Sequence, residues 1–209
     1  MVRRTKKDAL ATRESLLDAA ELVFQAKGVS STSLNDIAQR AGATRGAVYW
    51  HFKDKADLFN AMMDRATLPL EQAFGSGDSP ASAKALDRLR SGLMACLARI
   101  DGDERVRRVI EVATHKVEYV DELQAVRLRH LTVRNGFLSK MELGLVQAAA
   151  EQSITLQISP ALASQGLHAI ADGMIQNWLL DPTAFDLAIT VEPVVDVYLI
   201  GLGFRLTQT

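Results

Sequence analysis

Twenty residues, Ser33 to Phe52, limit what this chain of 209 can fold into more than any other stretch. They read Ser-Leu-Asn-Asp-Ile-Ala-Gln-Arg-Ala-Gly, then Ala-Thr-Arg-Gly-Ala-Val-Tyr-Trp-His-Phe. Ser33, with Asp36 three residues on, has the spacing of a capping box and predicts a helix over about Leu34 to Ala41. Gly42 can take the positive φ of a tight turn. Thr44 can cap a further helix, Arg45 to His51. Two helices this short, joined by three or four residues, are held only if they cross steeply and share apolar contacts. Ala38 is small where the second helix must pass, and Ile37 and Val48 supply the contacts. The stretch therefore predicts a helix-turn-helix.

The rest of the chain reads with helical period as well. Leu16, Ala20, Val23 and Phe24 line one face of a first helix that Gly28 stops. Asp54 with Asp57 opens a fourth helix, which runs into Pro69 and cannot pass it without a kink. Gly75 to Pro80 reads as a linker, with Ser79 as N-cap and Pro80 as first residue of a fifth helix. Gly102 divides that helix from a sixth near Glu104 to Lys116. A long seventh spans about Val120 to Glu151. Ser153 to Ser159 alternates like a strand, but no partner strand exists, so an extended loop is expected. Ser159-Pro160 starts an eighth helix that ends at Asp181-Pro182. The last begins near Thr190, with Pro193 in its first turn.

Charge is distributed unevenly. The chain as a whole is at −1, yet residues 1–66 hold 11 Lys and Arg against 8 Asp and Glu, a net of +3, leaving −4 for the remainder. Arg3, Arg4, Lys6, Lys7 and Arg13 lie close together at the start. A basic end on an acidic body suits a polyanion partner for one end only. On the helix after Gly42, Thr44, Arg45, Gly46, Tyr49, Trp50 and His51 would face a DNA major groove. Arg45 can donate two hydrogen bonds to a guanine edge or bind a phosphate. Gly46 sacrifices helix propensity, and close approach to DNA is the compensating gain. Tyr49 and His51 suit phosphates. Ser33 begins the preceding helix, and Lys55 begins the fourth, where charge and backbone N–H groups favour an anion. Arg3, Arg4 and Lys6 form a basic arm. Phe52 and part of Trp50 are expected in the core.

Other classes lack support. His51, His115, His130 and His168 have no local zinc spacing, and there is no phosphate loop or nucleophile motif. No enzyme activity, metal or cofactor is expected. Cys96 is the one cysteine, which excludes an intrachain disulfide and fits a reducing cytosol. The charged start has no apolar stretch behind it and is not read as a signal peptide. The apolar run Val194 to Leu206 is too short to span a membrane and is interrupted by Asp196.

The stretches Arg13 to Ala20, Gly28 to Ala38 and Gly46 to Lys55 resemble the TetR family. The opening Met1 to Lys7 and the Tyr49-Trp50-His51-Phe52 run are most similar to its AcrR-type repressors of multidrug efflux pumps. Farther on, Arg107-Arg108, Glu111, His115-Lys116, Glu118, Asp172-Gly173 and Trp178-Leu179-Leu180 are similar to efflux-repressor patterns. The resemblance implies an all-α fold of about nine helices. A three-helix DNA-binding domain would occupy residues 1–54, and a helical bundle for ligand binding and dimerisation residues 55–209. It implies a homodimer held by the last two helices. The residues themselves agree: Val191, Val194, Val195, Val197, Tyr198, Leu199, Ile200, Leu202, Phe204 and Leu206 surround the final helix, and a helix apolar all round must be covered on more than one side. Burial within a single subunit is the alternative.

The resemblance also implies a ligand cavity, with Glu111, Phe137, His168, Asp172, Ile175 and Gln176 on its positions. Leu93, Cys96 and Ile110 are further apolar candidates, and Thr114 joins Glu111 in a polar group. Ile110, Thr114, His168 and Gln176 depart from the side chains of AcrR-type members, so ligand preference is not carried over. The expected function is a cytoplasmic, ligand-responsive repressor. It would bind a palindromic double-stranded operator as a dimer and be released by a small hydrophobic or aromatic effector. Multidrug efflux genes are the expected target, with metabolic genes under a different effector as the alternative.

Overall fold

A computed structural model describes residues 6–76, 83–118 and 123–206. Among these, nine α-helices and no strand occur: α1 (Lys6–Lys27), α2 (Leu34–Arg40), α3 (Arg45–His51), α4 (Lys55–Ser76), α5 (Ala85–Gly102), α6 (Glu104–His115), α7 (Gln124–Gln152), α8 (Pro160–Leu180) and α9 (Leu187–Gly201). The helices pack as two units. The first holds residues 1–66 and Arg108–His130; the second holds Thr67–Arg107 and Leu131–Thr209. The units therefore divide inside α4, α6 and α7 rather than in loops.

The first unit is built on α1. Leu16, Leu17, Ala20 and Phe24 are buried on the face the periodicity marks. Phe24 meets Phe59 of α4 with ring centroids 5.8 Å apart. Gly28 ends α1 at φ +80°, a conformation that only glycine adopts without strain. The backbone then bonds to the residue just after α6, Val29 N donating to the Lys116 carbonyl at 2.9 Å. Asp54 caps α4 by accepting from Asp57 N at 2.8 Å, while Asp57 reaches back to Lys53 N at 2.9 Å.

In the second unit α9 packs on α5 and α8. Val191, Val195 and Leu199 are buried at helical spacing. Arg90 of α5 holds Asp196 of α9 through Nε at 2.7 Å and Nη2 at 2.6 Å. A paired, two-bond contact of this kind fixes geometry more than it adds stability. Ser153 to Ser159 is a loop, as expected, and Ser159 caps α8 by accepting from Leu162 N at 3.2 Å.

Several expectations need correction. α4 runs through Pro69 and continues to Ser76; the proline removes the N–H that the Arg65 carbonyl would have accepted. Ser79 and Pro80 lie outside the described residues, and the fifth helix as described opens at Ala85 after an extended Lys84. α9 begins at Leu187, not near Thr190, because Asp186 caps it by accepting from Ile189 N at 2.9 Å. Pro193 therefore lies beyond the first turn, inside the helix. Phe204 and Leu206 are not helical. Gly203 at φ +97° breaks α9, with Gly203 N bonded to the Ile200 carbonyl and Phe204 N to that of Leu199, the paired bonds of a Schellman stop.

Candidate nucleic-acid interface and effector region

The helix-turn-helix forms as its spacing demands. Ser33 accepts from Asp36 N at 3.2 Å, and Asp36 accepts from Ser33 N at 2.9 Å, completing the capping box. Hydrogen bonds from Lys27 and Ser33 hold the Asp36 carboxyl well below the usual carboxylate range. Gly42 turns at φ +63°, and Ala43 N donates to the Ala38 carbonyl at 2.9 Å. Thr44 caps α3 by accepting from Ala47 N at 3.2 Å, which leaves its hydroxyl proton available to an acceptor outside the protein. Ile37, Ala38, Ala47 and Val48 are buried and lock α2 against α3.

That burial turns the other face of α3 outward. Thr44, Arg45, Gly46 and Tyr49 are exposed and His51 is half-buried. Arg45 Nη2 donates to Tyr49 Oη at 3.3 Å, and its guanidinium lies 5.5 Å from the Tyr49 ring centre, so the cation is held along the helix surface. The Tyr49 hydroxyl pushes the Arg45 pKa further up. Trp50 corrects an expectation: it is 72 % exposed and not part of the core, its ring edge-on to His51 at 4.5 Å. Phe52, two residues on, is buried as expected. A methyl group at Gly46 would meet only Thr44 Oγ1, at 3.9 Å, so packing within the protein gives no reason for glycine there. Lys55 Nζ donates to the Ser30 carbonyl at 3.2 Å and is half-buried rather than fully free at the surface. Lys6 is exposed at the start of α1. Arg3 and Arg4 lie outside the described residues.

The residues singled out for an effector fall in both units. Leu93, Cys96, Phe137, His168, Asp172, Ile175 and Gln176 belong to the second; Ile110, Glu111 and Thr114 belong to the first. Leu93 and Cys96 are buried. The Cys96 thiol donates to the Leu70 carbonyl at 3.5 Å, and burial pushes its pKa up to about 12. Phe137 meets Phe74 edge-on at 5.4 Å, and both are only half-buried, as are Ile175 and His168. Asp172 is exposed and accepts from Gln176 Nε2 at 2.6 Å, which places the two on one face of α8, as their spacing requires. Glu111 accepts from Gln25 of α1 at 2.7 Å.

Sequence reading missed an ionic cluster in the first unit. Glu21 of α1 is 1 % exposed and accepts from Arg65 of α4; Arg108 Nη1 of α6 lies 3.5 Å from its other oxygen. Arg65 also pairs with Glu14 and Asp18, each at 2.9 Å. Burial works against the Arg65 charge, but these carboxylates outweigh it and push its pKa up. The one available signal was the series Glu14, Asp18, Glu21, Gln25 at spacings of four, three and four, which also describes an ordinary solvated helix face.

Two apolar stretches remain uncovered. Ile189, Val197 and Ile200 of α9 are strongly exposed, as are Leu162 and Leu180 of α8. The final helix is thus apolar all round but buried within the chain on one side only. Among the described residues no group of three or more His, Cys, Asp or Glu could hold a metal ion, and no helix is long and apolar enough to cross a membrane.

A locked pair of short helices and an outward polar face on the second define a DNA-binding transcriptional regulator of the helix-turn-helix class. Residues 16–62 match the profile of bacterial regulatory proteins of the tetR family, and residues 84–204 match the C-terminal region of MAATS-type transcriptional repressors. The HTH-type transcriptional regulator TtgR of Pseudomonas putida is 34% identical over 196 residues, covering 94% of this chain and 93% of that protein. The crystal structure of NalD, the secondary repressor of the MexAB-OprM multidrug efflux pump in Pseudomonas aeruginosa, superposes with a TM-score of 0.83 at 35% identity, over 94% of this chain and 98% of that one. SmeT, solved in complex with triclosan, gives a TM-score of 0.78 at 30% identity, over 91% of each chain. The chain belongs to the TetR family of transcriptional regulators and is not an enzyme.

Proposed function

We propose that this protein is a repressor of multidrug efflux genes that holds a palindromic operator as a homodimer and releases it when a small hydrophobic or aromatic compound binds. The observation that carries the reading is the outward face of α3, where Arg45, Gly46, Tyr49 and Trp50 stand exposed on a helix locked from behind by Ala47 and Val48. Arg45 and Gly46 would address base edges, and Thr44, Tyr49, Trp50, His51, Ser33 and Lys55 the flanking phosphates. Arg3, Arg4 and Lys6 would add an arm. Residues 1–54 would serve the DNA, and residues 55–209 the effector and the dimer.

The exposed Ile189, Val197 and Ile200, with Leu162 and Leu180, support a second copy of the chain as the partner of α8 and α9. In the second unit Leu93, Cys96, Phe137, His168, Asp172, Ile175 and Gln176 would meet the effector. Half-buried aromatic and aliphatic side chains suit a ligand of variable shape. Ile110, Glu111 and Thr114 would respond through α6, on which all three lie. The relatives' efflux pumps support the choice of target, and a cytoplasmic location follows from it.

The test is fluorescence anisotropy of a labelled duplex, taken from the region upstream of this gene and its neighbours, titrated with protein at low salt. Tight binding is expected, with release by triclosan or another member of a panel of aromatic and aliphatic compounds. A protein that binds every duplex equally, or binds one and ignores the whole panel, would refute the reading.

A further inference from the structure

Arg45, the first residue of α3, is the sole arginine or lysine of that helix. A duplex offers its guanidinium two kinds of partner, the phosphate oxygens and the O6 and N7 edge of a guanine. A side chain that swings freely would settle on a phosphate as readily as on a base. Arg45 is held instead. Tyr49 stands four residues on, where i and i+4 side chains share a face of the helix. Arg45 Nη2 donates to the Tyr49 hydroxyl at 3.3 Å, and the guanidinium carbon lies 5.5 Å from the ring centre. Among the described residues no carboxylate pairs with Arg45, so the tyrosine is the side chain that holds the cation.

Stability does not account for this pair. The macrodipole opposes a cation in the first turn of a helix. Both side chains are in water, Tyr49 being 50 % exposed, and an i,i+4 contact at the surface adds little. Nor does the contact use up either group. A guanidinium has five N–H donors, and one bond to Tyr49 leaves enough for the two-bond fork to guanine. The hydroxyl, accepting from Arg45, keeps its own proton for a phosphate oxygen. What the tyrosine adds is direction. It lays the cation along the outward face of α3, the face a groove would receive, instead of off the end of the helix toward the flanking backbone.

We propose that Tyr49 is a specificity-determining positioning residue: by holding the Arg45 guanidinium along α3 it commits Arg45 to a guanine of the operator rather than to a phosphate. The inference rests on the regulator reading above and deepens it, giving Tyr49 a share in base readout beyond a phosphate contact.

The duplex for the test is one that the wild-type protein enriches from a randomised library. A panel of derivatives carries single base-pair changes made symmetrically in both half-sites, and affinities are read by fluorescence anisotropy. Changing one particular G·C pair is expected to cost the wild type roughly 5- to 150-fold per half-site. Arg45→Ala is expected to abolish the preference at that pair. Tyr49→Leu, which removes hydroxyl and ring, is expected to lose more than half of it on a logarithmic scale, with the preferences at other pairs unchanged. Tyr49→Phe, which keeps the ring, is expected to lose a smaller part. Neither tyrosine substitution should alter the salt dependence of binding, because neither removes a charge. Added to Arg45→Ala, Tyr49→Leu should cost nothing further at that pair, the non-additivity of two groups acting as one. A uniform loss across the panel in Tyr49→Leu, with the preference intact, makes Tyr49 a phosphate contact only and overturns the proposal. So does an Arg45→Ala protein that keeps every base preference. In both cases the wild type still selects its duplex and the regulator reading stands. If the wild-type protein enriches no duplex, that reading itself fails and takes this inference with it.

Discussion

Gly46 separates recognition from stability at the level of a single atom. It lies inside α3, where glycine costs about 1 kcal/mol relative to alanine, and the protein leaves room for a methyl group. Gly46→Ala is therefore expected to raise the melting temperature by roughly 2–4 °C in calorimetry. The same substitution is expected to weaken duplex binding by about tenfold, ~1.4 kcal/mol, because the added carbon stands between the helix and the bases. Unchanged affinity would mean that the DNA does not come close there. Asp36 makes a different prediction. Its folded carboxyl, bonded to Lys27 and Ser33, keeps its charge to a lower pH than the unfolded chain's, which titrates near 3.9. The unfolded state binds the extra proton between those two values, so the stabilisation is complete above about pH 4 and is lost as pH falls through the folded pKa. Melting curves of wild type and Asp36→Asn should differ at pH 7 and converge on acidification below about pH 4.

Among the helices, α8 and α9 depend on one close approach. A Cβ at Gly166 would collide with Tyr198 Oη and stand 2.9 Å from its Cζ, while that hydroxyl donates to the Ala163 carbonyl at 3.0 Å. Gly166→Ala gains about 1 kcal/mol of helix propensity but overpacks the contact by roughly 1–3 kcal/mol and breaks the hydrogen bond. A net loss of about 1 kcal/mol is expected in urea unfolding. Tyr198→Phe in the same chain should recover part of it by removing the oxygen, and a non-additive double mutant is the signature sought. The capping residues show why some boundaries were legible and others were not. Ser33, Thr44, Asp54 and Ser159 announce their helices, because a cap is a local contest between one side chain and the backbone three residues on. Asp186 is an equally good cap, but Pro193 drew the start of α9 toward itself, and the surroundings that tolerate a proline deeper in the helix are tertiary.

At the scale of the molecule, the uncovered apolar residues of α8 and α9 make the assembly testable. Val197, 71 % exposed, makes no use of its apolar surface within one chain. Val197→Glu is expected to leave the fold intact and shift the protein from dimer to monomer in sedimentation, with operator binding falling alongside because a palindrome needs both subunits. A dimer that survives the substitution would place the interface elsewhere. The helical architecture, the helix-turn-helix and its outward face could be read from the chain alone, since periodicity, caps and a glycine at positive φ act over a few residues. Trp50 was expected on the DNA-facing side but also partly in the core, and the core share is absent, because an aromatic run beside Phe52 looks the same whether it faces a core or a groove. Glu21 was invisible for the converse reason: a carboxylate on a charged helix face becomes a buried anchor only when Arg65 and Arg108, distant in sequence, are brought to it. Local physics chose the elements; long-range packing decided which charges are buried and which apolar faces remain for a partner, because burial is a property of neighbours that the sequence separates.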